Sequence, residues 1–255
     1  MDMRYRDALA RRREQIEARV DAALAVSGRR REDIELVAVS KTVGVDEVRA
    51  AIAAGYRVFG ENRPQELMRK LQGMDEAGVP CRVGLGAREA DEVRFDMIGN
   101  LQTNKINAVL GRASLIHSIG SLHLAEAVSS RAVRRMDAGE LAAPQPVLIE
   151  VNISGEVSKS GFAPEELRAC IEEVGRLCGI QVCGLMTMAP RGDKEAARAC
   201  FAGLRDLRDE LALATGLALP ELSCGMSEDF EMAVEEGSTI VRLGRVVFDP
   251  AFAVR

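Results

Sequence analysis

Residues 35–61, ELVAVSKTVGVDEVRAAIAAGYRVFGE, hold the pattern on which the fold turns. Leu36-Val37-Ala38-Val39 is a continuous apolar run that stops at Ser40-Lys41-Thr42. Val45, Val48, Ala51 and Ile52 then recur at helical spacing, with Asp46 and Glu47 in the first turn and Gly55 as the stop. Val58-Phe59 begins a second apolar run that ends in Gly60-Glu61-Asn62. Strand, helix and strand in roughly thirty residues make one βαβ unit. Lys41 falls at the C-terminal end of the first strand. In an α/β barrel that end carries the active site, and a partly desolvated amine there is a nucleophile. The competing reading is a lysine that snorkels to solvent from a strand end.

The alternation continues outward in both directions. Before the unit, residues 2–27 form an amphipathic pattern through Tyr5, Leu9, Ile16, Val20 and Leu24, closed by Ser27-Gly28. After it, helical patterns are expected over 64–72, 101–110, 122–136, from 164 onward, 194–214 and 229–236. Further strands are expected over 95–99, 114–119, 146–152, 180–188, 221–224 and 239–243, giving eight in all. Residues 73–94, with Pro80 and several glycines, are the least regular part. Gly84-Leu85-Gly86 lacks the third glycine and the helix start of a dinucleotide fingerprint. Eight continuous strands separated by helices predict a parallel sheet covered on both faces. A single-domain (β/α)8 TIM barrel with an additional helix at residues 1–28 satisfies that pattern. An open doubly wound sheet is the alternative.

Composition narrows the function classes. The 255 residues are 47% apolar but only 4% aromatic with no Trp, so aliphatic side chains must fill the core. A net charge of −5 gives no electrostatic case for nucleic acid. Two arginine triplets, Arg11–Arg13 and Arg29–Arg31, are interleaved with Glu14, Glu17, Asp21, Glu32 and Asp33, which makes a solvated face. No apolar run reaches membrane-spanning length and the start of the chain is charged, so a cytoplasmic protein is expected. Six cysteines without a C-x-x-C pair read as reduced thiols, and His117 and His123 are wrongly spaced for a helical metal site. No metal is expected.

The predicted strand ends are polar and rich in glycine: Ser40-Lys41, Glu61-Asn62, Gly99-Asn100, Met186-Thr187, Ser223 to Ser227, and Arg242 to Gly244. In a barrel they share one mouth. The loops after the last two strands are the usual phosphate site of this fold. Ser223, Ser227 and the backbone around Gly244 supply donors there, although Gly225 and Gly244 are also compatible with ordinary tight turns. Phosphate donors opposite a strand-end lysine suggest pyridoxal 5′-phosphate held as a Schiff base.

At this point the chain resembles a known family, the pyridoxal-phosphate-binding homeostasis proteins. The segments that carry the resemblance are LVAVSKTVG, RVFGENRPQE, MIGNLQTNK, VLIEVNISGEVSKSGF, CGLMTMAP and LSCGMSEDFEMAVEEGSTIVRLG, spread over residues 36–244. The resemblance implies the barrel of the fold-type III pyridoxal enzymes, shared with the N-terminal domain of alanine racemase. It puts the Schiff-base lysine at Lys41, the phosphate at Ser223, Ser227, Gly244 and the backbone of Arg245, and the ring nitrogen opposite Arg242. Asn62 and Met186 fall on positions lining the cofactor. Two departures stand out. Phe95-Asp96-Met97 stands where the family carries Trp-His-Phe, and Arg245 stands where a small polar residue is usual.

The implied function is storage and delivery of pyridoxal phosphate, without catalytic residues of its own. Arg242 cannot protonate the ring nitrogen, which weakens carbanion stabilisation. Alanine racemases tolerate that arrangement but add a tyrosine from a second domain. Here the sequence ends eleven residues after Gly244, and the two tyrosines are Tyr5 and Tyr56. A monomer that serves apo forms of pyridoxal-phosphate enzymes is therefore expected. The alternative is a barrel enzyme with weak amino-acid racemase or decarboxylase-like activity, with Asp96 as a candidate base.

Overall fold

The structure, a computed structural model, describes residues 3–85, 89 and 91–252. Among the described residues nine strands run β1 (Glu35–Val39), β2 (Val58–Glu61), β3 (Cys81–Arg82), β4 (Val93–Met97), β5 (Ile116–Ile119), β6 (Gln145–Glu150), β7 (Ile180–Met186), β8 (Glu221–Ser223) and β9 (Ile240–Leu243). All pairings are parallel. Leaving out β3, each strand pairs with the next, and β1 pairs with β9 from Glu35↔Ile240 to Ala38↔Leu243. The sheet is therefore a closed eight-stranded barrel, and the open-sheet alternative is excluded.

Helices wrap it: α1 (Met3–Ser27), α2 (Val45–Ala53), α3 (Pro64–Glu76), α4 (Ile106–Val109), α5 (Leu122–Asp137), α6 (Pro164–Gly175), α7 (Lys194–Thr215), α8 (Phe230–Glu235) and α9 (Arg245–Phe248). Among the described residues none of them is long and apolar enough to cross a membrane. Residue 2 of the expected first helix and Gly86 of the Gly84-Leu85-Gly86 stretch lie outside the described residues.

Three features differ from the sequence pattern. The helix expected to stop before Gly73 runs on to Glu76. A Cβ at Gly73 would lie 2.6 Å from a Val45 methyl, so this glycine is a point of close helix approach rather than a breaker. The helix expected over 101–110 is a 3-10 turn, Thr103–Lys105, followed by one turn of α4. The strand β3 is two residues long and sits inside the stretch that carried no periodicity.

The core has two parts. Val37, Val58, Leu115, Leu148, Cys183, Met186 and Ile240 form a cluster from strands or strand starts that fills the barrel. The larger cluster joins the outward strand residues to the helices. Helix α1 adds Leu9, Ile16, Val20, Ala23 and Leu24 to it, packing against α2, α8 and α9. That packing, over residues far apart in sequence, closes the seam between the two ends of the chain. Ile16 is completely buried. Replacing it by Ala should cost about 2–5 kcal/mol in urea unfolding, from lost transfer energy plus a cavity. A loss well under ~1 kcal/mol would show that α1 is peripheral to stability.

Candidate active site at the barrel mouth

Because all strands are parallel, their C-terminal ends surround one mouth. A cavity of about 540 Å³ opens there. Lys41 follows β1, Asn62 follows β2, Ser227 lies between β8 and α8, Arg242 is the last residue but one of β9, and Gly244-Arg245 start α9; all six line the cavity. Ile98, Gly99 and Asn100 follow β4 and form another wall. A Cβ on Gly99 would sit 2.3 Å from the Asn62 carbonyl, so the glycine is what allows these two strand ends to meet.

Lys41 is an exposed residue on the cavity wall and makes no hydrogen bond or ion pair among the described residues. Its neighbours are held firmly. The Ser40 hydroxyl donates to Glu61 Oε1 at 2.5 Å, and Lys70 Nζ, on α3, lies 2.6 Å from the same oxygen. Lys70 also donates to the Ser40 carbonyl at 3.0 Å. Both charges of this pair are fully buried. Glu61 Oε2 has no partner, so the pair is not completely satisfied. The network ties the residue before Lys41 to the residue before Asn62. Glu61 was read only as one of the polar strand-end residues, and Lys70 did not stand out in the sequence; an acidic residue just after the apolar Val58-Phe59 run was the available signal.

On the other side, the Ser227 hydroxyl accepts from the Val246 N–H at 3.2 Å, which leaves its own proton free to donate. Arg245 is directed to the rim. Its guanidinium pairs with Glu228 at 2.6 Å and stands 5.2 Å over the Phe252 ring, while its backbone remains at the start of α9. Arg242 is buried. Its Nη1 donates to the Ser223 carbonyl at 2.8 Å and the Ser223 hydroxyl at 2.5 Å, and Nη2 donates to the Thr187 carbonyl at 3.0 Å. Burial lowers its pKa, while Cys224, Glu150 and Asp229 oppose that effect.

Two of the expected residues do not line the cavity. Ser223 is fully buried and its hydroxyl is engaged by Arg242 and by His117 Nδ1 at 2.9 Å, so it stands beneath the mouth rather than as a donor in it. The sequence reading expects this hydroxyl on the phosphate. Met186 belongs to the apolar cluster inside the barrel, below the cavity. Asp96 is also interior. Arg94 donates to its two oxygens at 3.1 Å each, and His117 Nε2 lies 3.3 Å away. Burial alone would push the Asp96 carboxyl up, but Arg94 and His117 outweigh it and hold the pKa below the ordinary value. An ionised carboxylate tied to an arginine is a poor base. His117 is held neutral chiefly by burial, against the raising influence of Asp96 and with the help of Arg242 and Arg94.

Two outcomes are expected from these buried groups. Lys70→Met leaves a buried, unpaired Glu61 and should cost about 3–5 kcal/mol; adding Glu61→Gln should recover most of it in urea unfolding. For His117, the unfolded chain takes up a proton near pH ~6.5 while the folded one, with its lowered pKa, does not. Its stability contribution is therefore complete above that pH and lost as pH falls toward the lowered folded value, at up to about 1.4 kcal/mol per pH unit. Chemical denaturation at a series of pH values should show a shallower acid dependence in His117→Asn than in the wild type. Identical slopes would contradict a neutral buried histidine.

Comparison with known proteins agrees with this geometry. Residues 12–250 match the family model described as alanine racemase, N-terminal domain. A pyridoxal phosphate homeostasis protein of Aquifex aeolicus is 38% identical over 231 residues, covering 90% of this chain and 92% of the relative. The crystal structure of an unknown protein from Bifidobacterium adolescentis superposes with a TM-score of 0.87 at 38% identity, covering 97% of each chain. The structure of PipY from Synechococcus elongatus with PLP bound gives 0.77 at 31% identity, over 94% of this chain and 99% of that one. The chain belongs to the alanine racemase N-terminal domain family, and within it to the pyridoxal phosphate homeostasis proteins.

Proposed function

We propose that the mouth cavity binds pyridoxal 5′-phosphate and that the protein stores and delivers this cofactor rather than turning over a substrate. The observation that carries the proposal is the meeting of Lys41, Ser227, Arg242 and Gly244 in one cavity, in a chain whose relative PipY has been seen with PLP bound. The donor set fits the molecule. Bound there, pyridoxal phosphate supplies an aldehyde that condenses with a primary amine and an electron-withdrawing ring. Lys41 would offer that aldehyde an amine with no partner among the described residues. Ser227 has a free hydroxyl proton for the phosphate, joined by the Gly244 and Arg245 backbone. Arg242 is a permanent donor toward the ring nitrogen and leaves it unprotonated. Asn62 lines the ring, and Ser223 and Met186 act from beneath.

The carrier reading is favoured over the racemase or decarboxylase alternative by what this chain brings to the mouth. Tyr56 lines a cavity at the opposite end of the barrel, with Glu35 and Arg94, and Tyr5 is on α1. Asp96 is occupied by Arg94 and His117. Two-faced proton transfer needs a base on each side of the substrate; of the carboxylates on the wall, Glu228 is paired with Arg245, while Asp193 and Asp229 accept from the Ala196 and Met226 N–H groups. Within the same proposal residues 1–255 form one domain, working in the cytoplasm as a monomer, and apo forms of pyridoxal-phosphate enzymes receive the cofactor. The support for a homeostatic role is the curated name of the relatives.

Purified protein with pyridoxal phosphate should be yellow, and borohydride should fix the cofactor to the peptide that contains Lys41. Labelling at another lysine, with Lys41→Ala still yellow, overturns the assignment. Ser227→Ala removes one hydroxyl donor to a charged group and should weaken binding by about ten- to a hundredfold. Non-phosphorylated pyridoxal should bind poorly; equal affinity for the two would mean that the phosphate subsite is wrongly assigned. In D₂O, α-proton exchange of amino acids should stay close to the rate with free pyridoxal phosphate, while transfer of bound cofactor to an apoenzyme is measurable. Turnover at ordinary enzymatic rates would favour the enzyme reading.

A further inference from the structure

Five polar side chains run in file through the barrel interior. Arg94, on β4, pairs with Glu35 at the lower end at 2.5 Å and donates to Asp96. Asp96 meets His117 on β5, His117 meets Ser223 on β8, and Ser223 meets Arg242 on β9, at 3.3, 2.9 and 2.5 Å respectively. Asp96, His117 and Ser223 are each completely buried or within a rounding step of it.

The protons in this file are fixed from both ends. Arg242 can only donate, so the Ser223 oxygen accepts from it. Asp96, ionised beside Arg94, can only accept, so His117 carries its proton on Nε2. His117 Nδ1 is then an acceptor, and the Ser223 hydroxyl proton points to it. The three bonds from Arg242 through Ser223 and His117 to Asp96 run the same way, down to a carboxylate that Arg94 meets from the other end. A partly satisfied polar file would be worse than an apolar interior, and this one is satisfied throughout. The neighbouring interior residues Val58, Leu115 and Leu148 show that the barrel has an apolar solution at the same depth. The file therefore calls for a role at one of its ends, and the upper end is Arg242 on the cavity wall.

We infer that Asp96 and His117 are positioning residues for Arg242. By holding His117 in its Nε2–H tautomer, Asp96 draws the Ser223 proton downward and leaves the Ser223 oxygen as a fixed acceptor for the guanidinium. Arg242 is thereby oriented as a donor at the mouth. The inference rests on the cofactor reading above, in which that donor faces the ring nitrogen, and it extends the reading to two residues that never touch the cavity. The logic is that of a carboxylate fixing a histidine tautomer in a catalytic triad, applied to a binding group.

The test uses the full chain with pyridoxal phosphate carrying ¹⁵N in the ring, and reads both the dissociation constant and the ring-¹⁵N resonance. Asp96→Asn turns an amide N–H toward His117 Nε2 and reverses the tautomer. Binding should weaken by about tenfold, the loss expected from one impaired bond to a charged group, and the ¹⁵N resonance should move. Ser223→Ala should move it in the same direction. His117→Leu should do likewise, and His117→Asn, whose side-chain oxygen can stand near the position of Nδ1, should restore much of the wild-type resonance. Asp96→Asn keeps the side-chain size and Ser223→Ala removes a single atom, so the test stands even if His117→Leu does not fold. A wild type that binds no cofactor overturns both readings. A wild type that binds normally, with Asp96→Asn and Ser223→Ala indistinguishable from it in resonance, overturns this one alone.

Discussion

The pairing of β1 with β9 is the constraint on which everything else depends. It lays Glu35–Ala38 beside Ile240–Leu243 and so joins the two ends of the barrel. Until it forms, Lys41 and Gly244 belong to opposite ends of an open sheet and share nothing. Closure between segments so far apart in sequence carries a loop-entropy cost, and an all-parallel sheet offers no local hairpins to offset it. The compensation is cooperative: α1 packs on α2 from the start of the barrel and on α8 and α9 from its end, bridging the same seam from outside. The mouth is therefore only as well formed as the seam.

Much of the fold was legible because both faces of each barrel strand are covered, which writes the strand as a continuous apolar run. Leu36 to Val39, Val58-Phe59 and Val147 to Ile149 all read that way. Strand-end lysine, serines and glycines identified the mouth for the same reason, since the apolar runs stop there. Depth was not legible. Ser223 and Ser227 are four residues apart in one polar loop, yet one lies under the cavity and the other on its wall. The difference comes from the turn at Gly225, where φ is +90° and a Cβ would press on Ala233 at 2.6 Å. Nor was the interior file evident, though Arg94 and Asp96 alternate with apolar neighbours along one strand. Period-two polarity in a strand expected to be buried on both faces marks a polar stripe facing inward.

The barrel interior divides its space between two incompatible environments. An apolar cluster fills one part by packing, and charged groups fill the other by pairing. The second arrangement is costly and holds only while each partner is in place. It also supplies something packing cannot: a side chain whose orientation and protonation are both specified. Arg242 is so specified from below by Ser223 and from the side by the Thr187 carbonyl. On the wall above, the carboxylates are likewise committed: Glu228 pairs with Arg245 and Asp229 accepts from the Met226 N–H, while Lys41 keeps an unpaired amine.

Lys41 and Lys70 show how the same side chain is given opposite roles. Lys70 lies in full burial against Glu61, and its remaining reach is taken by the Ser40 carbonyl. Its amine is committed as a charged donor and has no access to a ligand. Lys41 follows directly on the residue that Lys70 holds, yet it has no acid of its own and faces the cavity. A condensing amine must shed its proton and approach a carbonyl, and a paired, buried ammonium does neither. The buried pair thus spends its ionic bond on the backbone beside Lys41 and leaves the Lys41 amine without a counter-ion. One lysine is committed to the scaffold, and the other is left open to the cavity.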